Sequence, residues 1–491
     1  MNIHPCHTMR RAEQALFDSG AMSSDELMDI AIDSAVEQLA QDAEFAHAAE
    51  RFPQVVVYAG KGKNAGDAIG LAKRMGFGRI ILRSAAPLHA LAPETRRQLE
   101  QLAPASLKIA TAPPRLPLAG ALLIDGLLGS GASGPLRPEY AALAEEMNTL
   151  RAAHPRCALL AVDIPSGLQA DEGPLYSPAV HADATLAIGC VKPGMLADGA
   201  EELVGRIICV PLPAEVHMPD SAAQVLDADT PAMLPRRPYS CFKNRAGRVR
   251  IIAGSPGYTG AAQMCAEAAL AAGAGLVELY CLPPVYETLA QRVAAEVMVR
   301  CVHSYAEVPA EGADALLIGP GLGSPDEANA QALQALAEAP PCPLVLDADG
   351  LNLAAAGGWR LHRRCILTPH PGEMRRLFPE GAQLSRAECA ARFVAAHPCT
   401  LLLKGARSII TNGEHTWYNS LGGPHMANGG QGDVLAGAIA AYAAQGAPPL
   451  QAAALGAYTC GRAADRARAA AGFPIAVRAT QLLPWLTAQY S

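Results

Sequence analysis

Short apolar runs alternate with helical patterns along the first half of the chain. The first run, Val55–Tyr58, precedes a Gly-rich turn over Gly60–Asp67 and a helix over Ala68–Met75. Residues 9–50 carry apolar positions at helical spacing, which predicts two helices before this run. Further short apolar runs lie at Ile80–Leu82, Ala121–Ile124, Leu159–Val162 and Ala184–Ile188. Because strands that alternate with helices form parallel sheets, the pattern predicts an α/β fold with a doubly wound sheet between helical layers.

The same alternation restarts at Gly247, after a proline-rich stretch over 211–240. A strand over Val249–Ala253 and a helix over Ala261–Ala272 open this second half. Further strands are expected at Gly275–Cys281, Ala315–Ile318, Leu344–Leu346, Cys365–Leu367 and Thr400–Leu403. The second half is therefore also expected to form a doubly wound αβα domain.

Polar side chains follow the strands of the first half. Asp125, Asp163, Ser166 and Lys192 come after apolar runs, and Asp67 ends the first Gly-rich segment. Each aspartate alone could be a helix N-cap. Because the carboxyl ends of parallel strands meet at one edge of a sheet, we expect all five side chains to converge there, which favours a binding site.

Glycine and polar motifs also end the strands of the second half. They are GSPGYTGAAQM over 254–264, GPGLG over 319–323, DADGLN over 347–352, TPHPGE over 368–373 and KGARS over 404–408. Lys404 could hold a nucleotide phosphate or lie in solvent, and His370 could contact a ring or make a structural hydrogen bond. Asp347 and Asp349 could cap helices or order a metal around phosphates, and both alternatives stay open.

The stretch NGGQGDVLAG, Asn428–Gly437, combines glycines with one aspartate and then becomes apolar. Glycines let backbone N–H groups approach a ligand, and the helix that follows directs its positive end at that ligand. An aspartate in such an anion hole is expected to remove a proton, so Asp433 is a candidate catalytic base. A Gly-rich turn with an Asp cap is the structural alternative.

Length and composition narrow the classes of protein. With 491 residues, two domains are expected, over 1–214 and 226–491, joined by a linker over 215–225. A net charge of −7 without a basic run argues against a nucleic-acid partner. No apolar stretch reaches transmembrane length and the N-terminus lacks an apolar signal core, so a cytoplasmic location is expected. The 13 cysteines include no CxxC pair, and we assign none a function.

The motifs GKGKNAGD, DGLLGSGASGP, DIPSG and VKPG resemble the NAD(P)H-hydrate epimerase family, also called the YjeF N-terminal domain, over about residues 9–214. The resemblance implies a Rossmann-like sandwich that binds a hydrate of NADH or NADPH at the sheet edge, with K⁺ held by Asn64, Asp125 and Ser166. Asp163 and Lys192 are the pair best suited to acid–base catalysis. Hydrate contacts are implied at Lys63, Asn64, Ala65, Gly66, Asp67, Gly129, Ser130, Gly131, Ala132, Ser133, Gly134, Pro135 and Asp163.

The ordered motifs of the second half resemble the ribokinase-like fold, and more closely the ADP-dependent NAD(P)H-hydrate dehydratase family. The resemblance implies Mg²⁺ and ADP, and a phosphoryl transfer in which Asp433 takes the proton of the substrate hydroxyl. Hydrate contacts are implied at Ala261, Gly321, Gly323, His370 and Asp433, and ADP contacts at Lys404, Gly405, Ala406, Arg407, Ser408, Gly430 and Gly432. Gln431 stands where the family usually has threonine, and its effect on nucleotide affinity stays open.

The two resemblances together predict a bifunctional repair enzyme that is a homo-oligomer with small-molecule substrates only. Its first half would equilibrate R and S hydrates, and its second half would dehydrate the S form with ADP, giving AMP and phosphate. Two alternatives stay open. Lys63, Ala65 and Ala68 depart from the NNGGDG run usual in the epimerase family, so the first half could be a degenerate binding module. The second half could be a small-molecule kinase of the same fold.

Overall fold

The computed structural model describes residues 1–42, 44–175, 177–472 and 475–487. Its contacts divide the chain into two compact units, Met1–Val225 and Leu226–Ser491. Residues 215–225, expected as a linker, lie in the first unit, where Val216 is buried against Met9 and Leu16. Among the described residues, no helix is long and apolar enough to cross a membrane.

The first unit is built around a parallel sheet with the order β3-β2-β1-β4-β5-β6-β7. Its strands are β1 (Val55–Ala59), β2 (Ile80–Ser84), β3 (Leu107–Ile109), β4 (Leu122–Gly126), β5 (Ala158–Val162), β6 (Ala184–Ile188) and β7 (Arg206–Val210), and a short β8 (Ala223–Val225) follows. Its helices are α1 (Cys6–Asp18), α2 (Ser24–Gln41), α3 (Ala48–Arg51), α4 (Lys63–Arg74), α5 (Pro93–Glu100), α6 (Pro138–Ala153) and α7 (Glu201–Val204). Strand order reverses between β1 and β4, and ligands bind at such a reversal in doubly wound sheets.

The second unit repeats this plan with other connections. Its sheet runs β11-β10-β9-β12-β13-β14-β15 in parallel, and then β16 and β17 pair antiparallel. The strands are β9 (Arg248–Ile252), β10 (Leu276–Cys281), β11 (Val297–Cys301), β12 (Ala315–Ile318), β13 (Leu344–Leu346), β14 (Cys365–Leu367), β15 (Thr400–Leu403), β16 (Ser408–Thr411) and β17 (Thr416–Asn419). The helices are α8 (Thr259–Ala271), α9 (Pro283–Arg292), α10 (Glu327–Glu338), α11 (Asp349–Gly357), α12 (Pro371–Leu377), α13 (Arg386–Ala396), α14 (Gln431–Ala444), α15 (Pro449–Ala470) and α16 (Leu483–Thr487).

Apolar side chains cover both faces of each sheet, as expected where helices lie on the two sides. In the first unit, Val55 and Val57 face one core while Val56 and Tyr58 face the other. In the second unit, α14 and α15 contribute alanines and glycines that allow close helix packing. The predicted α/β class with two doubly wound sheets is confirmed.

Helix α4 begins earlier than the sequence pattern predicts. The segment over Gly60–Asp67 was expected to be a turn, but α4 starts at Lys63, with Gly62 as its N-cap. Glycine and asparagine in the segment masked the helical pattern, because both residues have low helix propensity. As a result, Asn64 and Asp67 lie on the first turns of a helix rather than in a loop.

Candidate active sites

The first candidate site is a cavity of about 640 Å³ at the strand-order reversal of the first unit. Its wall includes most of the expected residues, namely Lys63, Asn64, Asp67, Gly129, Ser130, Gly131, Ala132, Ser133, Gly134, Pro135, Asp163 and Lys192. Helix α1 closes one side with Met9, Arg10, Glu13 and Phe17. The cavity thus joins strand-end motifs that are far apart in the sequence.

Asp163 and Lys192 form a buried ion pair in this cavity. The Lys192 ammonium donates to Asp163 Oδ1 and, at 3.0 Å, to the carbonyl of Ile188. Asp163 Oδ2 accepts the backbone N–H of Ser130 at 2.7 Å. Burial opposes ionisation of both groups, but their mutual attraction outweighs it, so the pKa of Asp163 is lowered and the pKa of Lys192 is raised. Asp163 therefore stays a carboxylate in this site.

The backbone of Asp163 is in the left-handed region, with φ of 68°. This conformation is uncommon for residues other than glycine and often marks a functional position. Asp163 is the first residue after β5, and its N–H donates to the carbonyl of Leu186 on β6 at 2.9 Å. The turn brings the carboxylate to the sheet edge that the sequence predicts.

Two further carboxyl groups line the cavity. Burial and the charges of Asp163 and Glu13 raise the pKa of Asp67 to about 8, although Lys63 partly offsets them. Burial and Asp163 also raise the pKa of Glu13. Glu13 was missed from the sequence, yet it lies one residue after buried Ala12 and four after Met9, so the helical spacing of α1 contains the signal.

Asn64, in the cavity wall, is connected to Ser166 and Asp125 through the backbone of Leu128. Ser166 Oγ donates to Asp125 Oδ1 at 2.8 Å and accepts the Leu128 N–H at 3.0 Å, while Asn64 Nδ2 donates to the Leu128 carbonyl at 3.1 Å. Asn64 Oδ1 is buried and has no hydrogen-bond partner among the described residues. Burial raises the pKa of Asp125 to about 6. An unpartnered carbonyl oxygen, a serine hydroxyl and a buried carboxylate, connected through Leu128, are oxygen ligands of the kind that a hard cation such as K⁺ prefers.

The residues that depart from the epimerase pattern occupy different places. Lys63 lies at the rim, where its ammonium contacts Ser24 Oγ at 2.7 Å and Glu94 Oε1 at 3.0 Å. Ala65 and Ala68 are buried in the core, and a β-carbon on Gly66 would meet Met28. Ala65 and Gly66 are not among the residues that line the cavity, although Met28 beside Gly66 is, and the hydrate contacts expected at both positions stay predictions.

The second candidate site lies where β13, β14 and β15 end. Lys404 Nζ is 2.8 Å from Asp347 Oδ1 and 3.9 Å from Glu373 Oε2. Thr368 Oγ1 also donates to Asp347 Oδ1, at 2.7 Å. Burial lowers the pKa of Lys404, but Asp347 and Glu373 raise it more, so the ammonium keeps its charge. The alternative of a solvent-exposed lysine does not apply, because Lys404 is held in a largely buried cluster of charged side chains.

Asp433 lies on the first turn of α14, beside this cluster. Gly430 is the N-cap of α14 with φ of 94°, and a β-carbon on Gly432 would be 3.3 Å from Lys404 Nζ. Burial and the charge of Asp347 raise the pKa of Asp433 to about 7, while Lys404 opposes the shift. A carboxyl group with this pKa can take up and release a proton near neutral pH.

His370 caps helix α12 rather than standing free. Its Nδ1 accepts the N–H groups of Gly372 and Glu373 at 2.9 and 3.3 Å, and its Nε2 lies 3.4 Å from Glu373 Oε1. An accepting Nδ1 leaves the proton on Nε2. Half of the His370 side chain is exposed, so the ring keeps a free surface for a ligand. Glu373, which touches both His370 and Lys404, was missed from the sequence.

The GPGLG loop packs against the start of α8. Gly321 has φ of 60°, and a β-carbon there would be 2.7 Å from the Tyr258 carbonyl and 3.0 Å from Ala261. The N–H of Gly323 donates to Asp349 Oδ2 at 2.8 Å. The structure therefore brings Ala261, Gly321 and Gly323 together and uses Asp349 to hold the loop.

The KGARS segment is supported from below by Arg386, which the sequence did not single out. Its guanidinium donates to the carbonyls of Leu403 and Lys404 at 3.4 Å and of Arg407 at 2.8 Å. A β-carbon on Gly405 would collide with this guanidinium, and Arg407 is buried. Ala406 and Ser408 are in the same turn, where Ser408 Oγ donates to Gly405 O at 3.4 Å.

Of the expected ADP contacts, Gly430, Gly432 and Lys404 converge on Asp433.

No group of three or more histidine, cysteine or acidic side chains able to hold a metal occurs in the described parts of the chain. In the second site, the acids nearest to Lys404 are Asp347, Glu373 and Asp433. Mg²⁺ at nucleotide sites is commonly bound by one or two carboxylates together with substrate phosphates. Asp347 fits such shared binding and is the candidate protein ligand.

Two family models match the chain. A model described as YjeF-related protein N-terminus matches residues 24–194, and one described as NAD(P)H-hydrate dehydratase matches residues 249–487. The first match contains the strand-end residues of the first site from Lys63 to Lys192 but not helix α1, and the second match contains the second site. The structural division of the chain lies between the two matched ranges.

Relatives match both halves together. A bifunctional NAD(P)H-hydrate repair enzyme of Gloeobacter violaceus is 34% identical over 467 residues, which cover 89% of this chain and 88% of the relative. One of Moorella thermoacetica is 38% identical over 372 residues, covering 70% of this chain and 68% of the relative. A solved ribokinase-like superfamily protein of Enterococcus faecalis is 28% identical with a TM-score of 0.50, covering 56% of this chain and 97% of its own. The chain belongs to the family of bifunctional NAD(P)H-hydrate repair enzymes.

Proposed function

We propose that this chain converts both epimers of hydrated NADH and NADPH back to the intact dinucleotides. The first unit equilibrates the R and S hydrates, and the second removes water from the S hydrate at the expense of ADP. The observation that carries the proposal is the placement of Asp433, which lies at the N-terminus of α14 beside the Lys404–Asp347 pair. A base, a cation and helix N–H groups meet there, as phosphoryl transfer to a hydroxyl requires.

In the second unit, the hydroxyl on C6 of the hydrated ring attacks the β-phosphorus of ADP. Asp433 takes the hydroxyl proton, AMP leaves, and Lys404 and the N–H groups at Gly432 offset the negative charge of the phosphoryl group. The lone pair of the ring nitrogen then expels phosphate from C6, and loss of a proton from C5 restores the dihydronicotinamide. Bound Mg²⁺ would neutralise phosphate charge during this transfer.

In the first unit, Asp163 is the proposed proton acceptor near C6 of the ring. Lys192 keeps Asp163 ionised and holds its Oδ1, while the Ser130 N–H holds Oδ2. The loop over Gly129–Pro135 supplies the wall on which the hydrate lies. Bound K⁺ at Asn64, Asp125 and Ser166 would organise this loop from below. The cavity and its ion pair support an active epimerase over a degenerate module.

ADP as the nucleotide, the homo-oligomeric state and the cytoplasmic location stay predictions. The dehydratase match and the motif order favour repair over a small-molecule kinase. The test follows recovery of dihydronicotinamide absorbance from purified S hydrate with ADP, then with ATP, and then from purified R hydrate. We expect recovery from S with ADP and a slower recovery from R. Absence of recovery from S would contradict the dehydratase, and spontaneous rates from R would contradict the epimerase.

A further inference from the structure

The carbonyl of Val477 accepts two side-chain amides from the Gly-rich loop. Asn428 Nδ2 donates to Val477 O at 2.8 Å, and Gln431 Nε2 donates to the same oxygen at 2.9 Å. Gln431 Nε2 also donates to Asn428 Oδ1 at 3.3 Å. Both groups facing Gln431 Nε2 are acceptors, which sets the orientation of its amide. Val477 itself is buried, so the acceptor belongs to the core of the second unit.

These two amides flank a pair of glycines in the loop. Gly429 and Gly430 lie between Asn428 and Gln431 and have no side chains that could hold the backbone. Gly430 is packed closely, since a β-carbon there would be 2.6 Å from Met264 Sδ and 3.0 Å from Ala479. The loop therefore lies between α8 and residues 477–479. Among the described residues, its hydrogen bonds to residues 477–479 come from these two amides alone.

We propose that Asn428 and Gln431 are positioning residues of the dehydratase site, which clamp the Gly-rich loop to Val477. The clamp fixes the first turn of α14, and with it the distance of Asp433 and Gly432 from Lys404 and Asp347. Neither side chain needs to touch the reacting atoms. The inference rests on the proposed dehydratase function and assigns a role to Gln431, the residue of this loop that departs from the family pattern.

The experiment compares Gln431→Met with Gln445→Met in the full chain. Methionine keeps the length of glutamine but removes the amide. Gln445, just after the other end of α14, donates to the carbonyls of Ala272 and Ala441 at 3.1 and 2.9 Å, so it is a matched control. For each variant, kcat and KM are measured with S hydrate and ADP, the pH profile of kcat is recorded, and thermal unfolding is followed.

We expect Gln431→Met to lower kcat by about 10- to 100-fold, since small misplacements of catalytic groups have effects of that size. KM for the hydrate should change by no more than about twofold, because the ring contacts lie on other loops. The limb of the pH profile that reports Asp433 should shift, because the distance of that carboxyl from Asp347 and Lys404 changes. Adding Asn428→Ala to Gln431→Met should have little further effect, since both amides act through Val477.

Wild-type kcat in Gln431→Met would overturn the clamp. Losses of activity that follow the loss of thermal stability equally in Gln431→Met and Gln445→Met would also overturn it. Both outcomes leave the dehydratase function standing, because the wild-type protein is active in the same assay. An inactive wild-type protein would instead contradict the proposed function and this inference together.

Discussion

Two aspartates in this chain face opposite electrostatic surroundings. Burial disfavours the charge on both carboxyl groups. The ammonium of Lys192 contacts Asp163 and favours its charge, whereas Asp433 lies near both Lys404 and the carboxylate of Asp347. The pKa of Asp163 is therefore lowered, and that of Asp433 is raised to about 7. The epimerase acid–base group stays charged over a wide pH range, while the dehydratase base changes its protonation near neutral pH.

We predict that kcat of the dehydratase falls as the pH drops through about 7. Only the carboxylate form of Asp433 can accept the hydroxyl proton, and the ionised fraction falls about tenfold for each pH unit well below the pKa. The measurement is the rate of single-turnover dehydration of S hydrate with ADP between pH 5 and about pH 9. The rate should be independent of pH at the alkaline end of this range, where Asp433 is fully ionised. A profile without a limb near neutral pH would contradict the role of Asp433.

Asp433→Asn provides the matching variant. It should lower kcat by about 10²- to 10⁴-fold, the usual contribution of a positioned base, while ADP still binds. The raised pKa means that the folded state disfavours the charged form of Asp433. The free energy of unfolding therefore decreases as the pH rises from about 4 to about 7. The variant should therefore unfold at a higher temperature than the wild type at pH 8. Full turnover in Asp433→Asn would rule out the proposed base.

We predict a K⁺-dependent gain in stability that requires Asn64. Its Oδ1 is buried without a hydrogen-bond partner among the described residues, and a bound cation would satisfy it. At constant ionic strength, replacing NaCl by KCl should raise the unfolding temperature of the wild-type protein, since a ligand of the folded state stabilises it. Asn64→Leu should abolish this difference.

The control for Asn64→Leu is Asn148→Leu. Asn148 donates to the Ala179 carbonyl at 2.8 Å and accepts the His181 N–H at 2.9 Å, so both of its polar atoms are already satisfied. The control should lose stability equally in the two salts and keep the K⁺ effect. Equal unfolding temperatures of the wild type in NaCl and KCl would contradict the cation site.

At the scale of elements, the central strands were predictable and the edge strands were not. The strands β1, β5, β12 and β15 are buried on both faces and appear in the sequence as largely continuous apolar runs. The strands β3, β7 and β11 lie at sheet edges, where each is only partly buried, and no strand was predicted for them. The antiparallel pair β16–β17 was missed as well.

We predict that Gly321→Ala damages the hydrate site through packing as well as through backbone strain. Its φ of 60° is unfavourable for alanine, and the new β-carbon would lie 2.7 Å from the Tyr258 carbonyl. The first turn of α8, with Ala261, would have to shift. We expect kcat/KM for S hydrate to fall by at least about tenfold, measured with saturating ADP.

Gly358→Ala separates the two causes. Gly358 has φ of 58°, but a β-carbon there has no heavy atom within 4 Å. This variant should lose about 1–2 kcal/mol of unfolding free energy from backbone strain and keep its kcat/KM. If Gly321→Ala behaves in the same way as Gly358→Ala, the GPGLG loop acts only as a turn.

At the scale of the whole molecule, each unit has its own core and its own candidate site. We therefore predict that the two activities can be removed separately in the full chain. With an R and S mixture and ADP, Asp163→Asn should recover rapidly only the S fraction, because its dehydratase is intact. Asp433→Asn should recover neither fraction but should still equilibrate R and S, which chromatography of the two hydrates measures. Loss of S dehydration in a folded Asp163→Asn protein would contradict this independence.

The sequence alone determined which segments carry the chemistry. Motifs such as GPGLG, KGARS and NGGQGD place glycines or charged residues at strand ends. In a doubly wound sheet the carboxyl ends of the parallel strands meet at one edge, so the location of these motifs follows from the strand pattern alone. Asp433, Lys404, Asp163 and Lys192 could therefore be chosen without coordinates. Family membership followed from the order of the same motifs and was confirmed by the comparisons.

Only the tertiary structure decided which groups meet and in which state. Glu13 comes from α1, more than 100 residues before Asp163, and Arg386 reaches the KGARS turn from α13. The pKa of a carboxyl group depends on burial and on neighbouring charges, and neither is readable from local sequence. The start of α4 at Lys63 likewise placed Ala65 in the core, and Asn64 Oδ1 on the same turn has no hydrogen-bond partner in the part of the chain that the structure describes. Sequence patterns encode local preference, whereas these contacts arise from chain segments that meet only after folding.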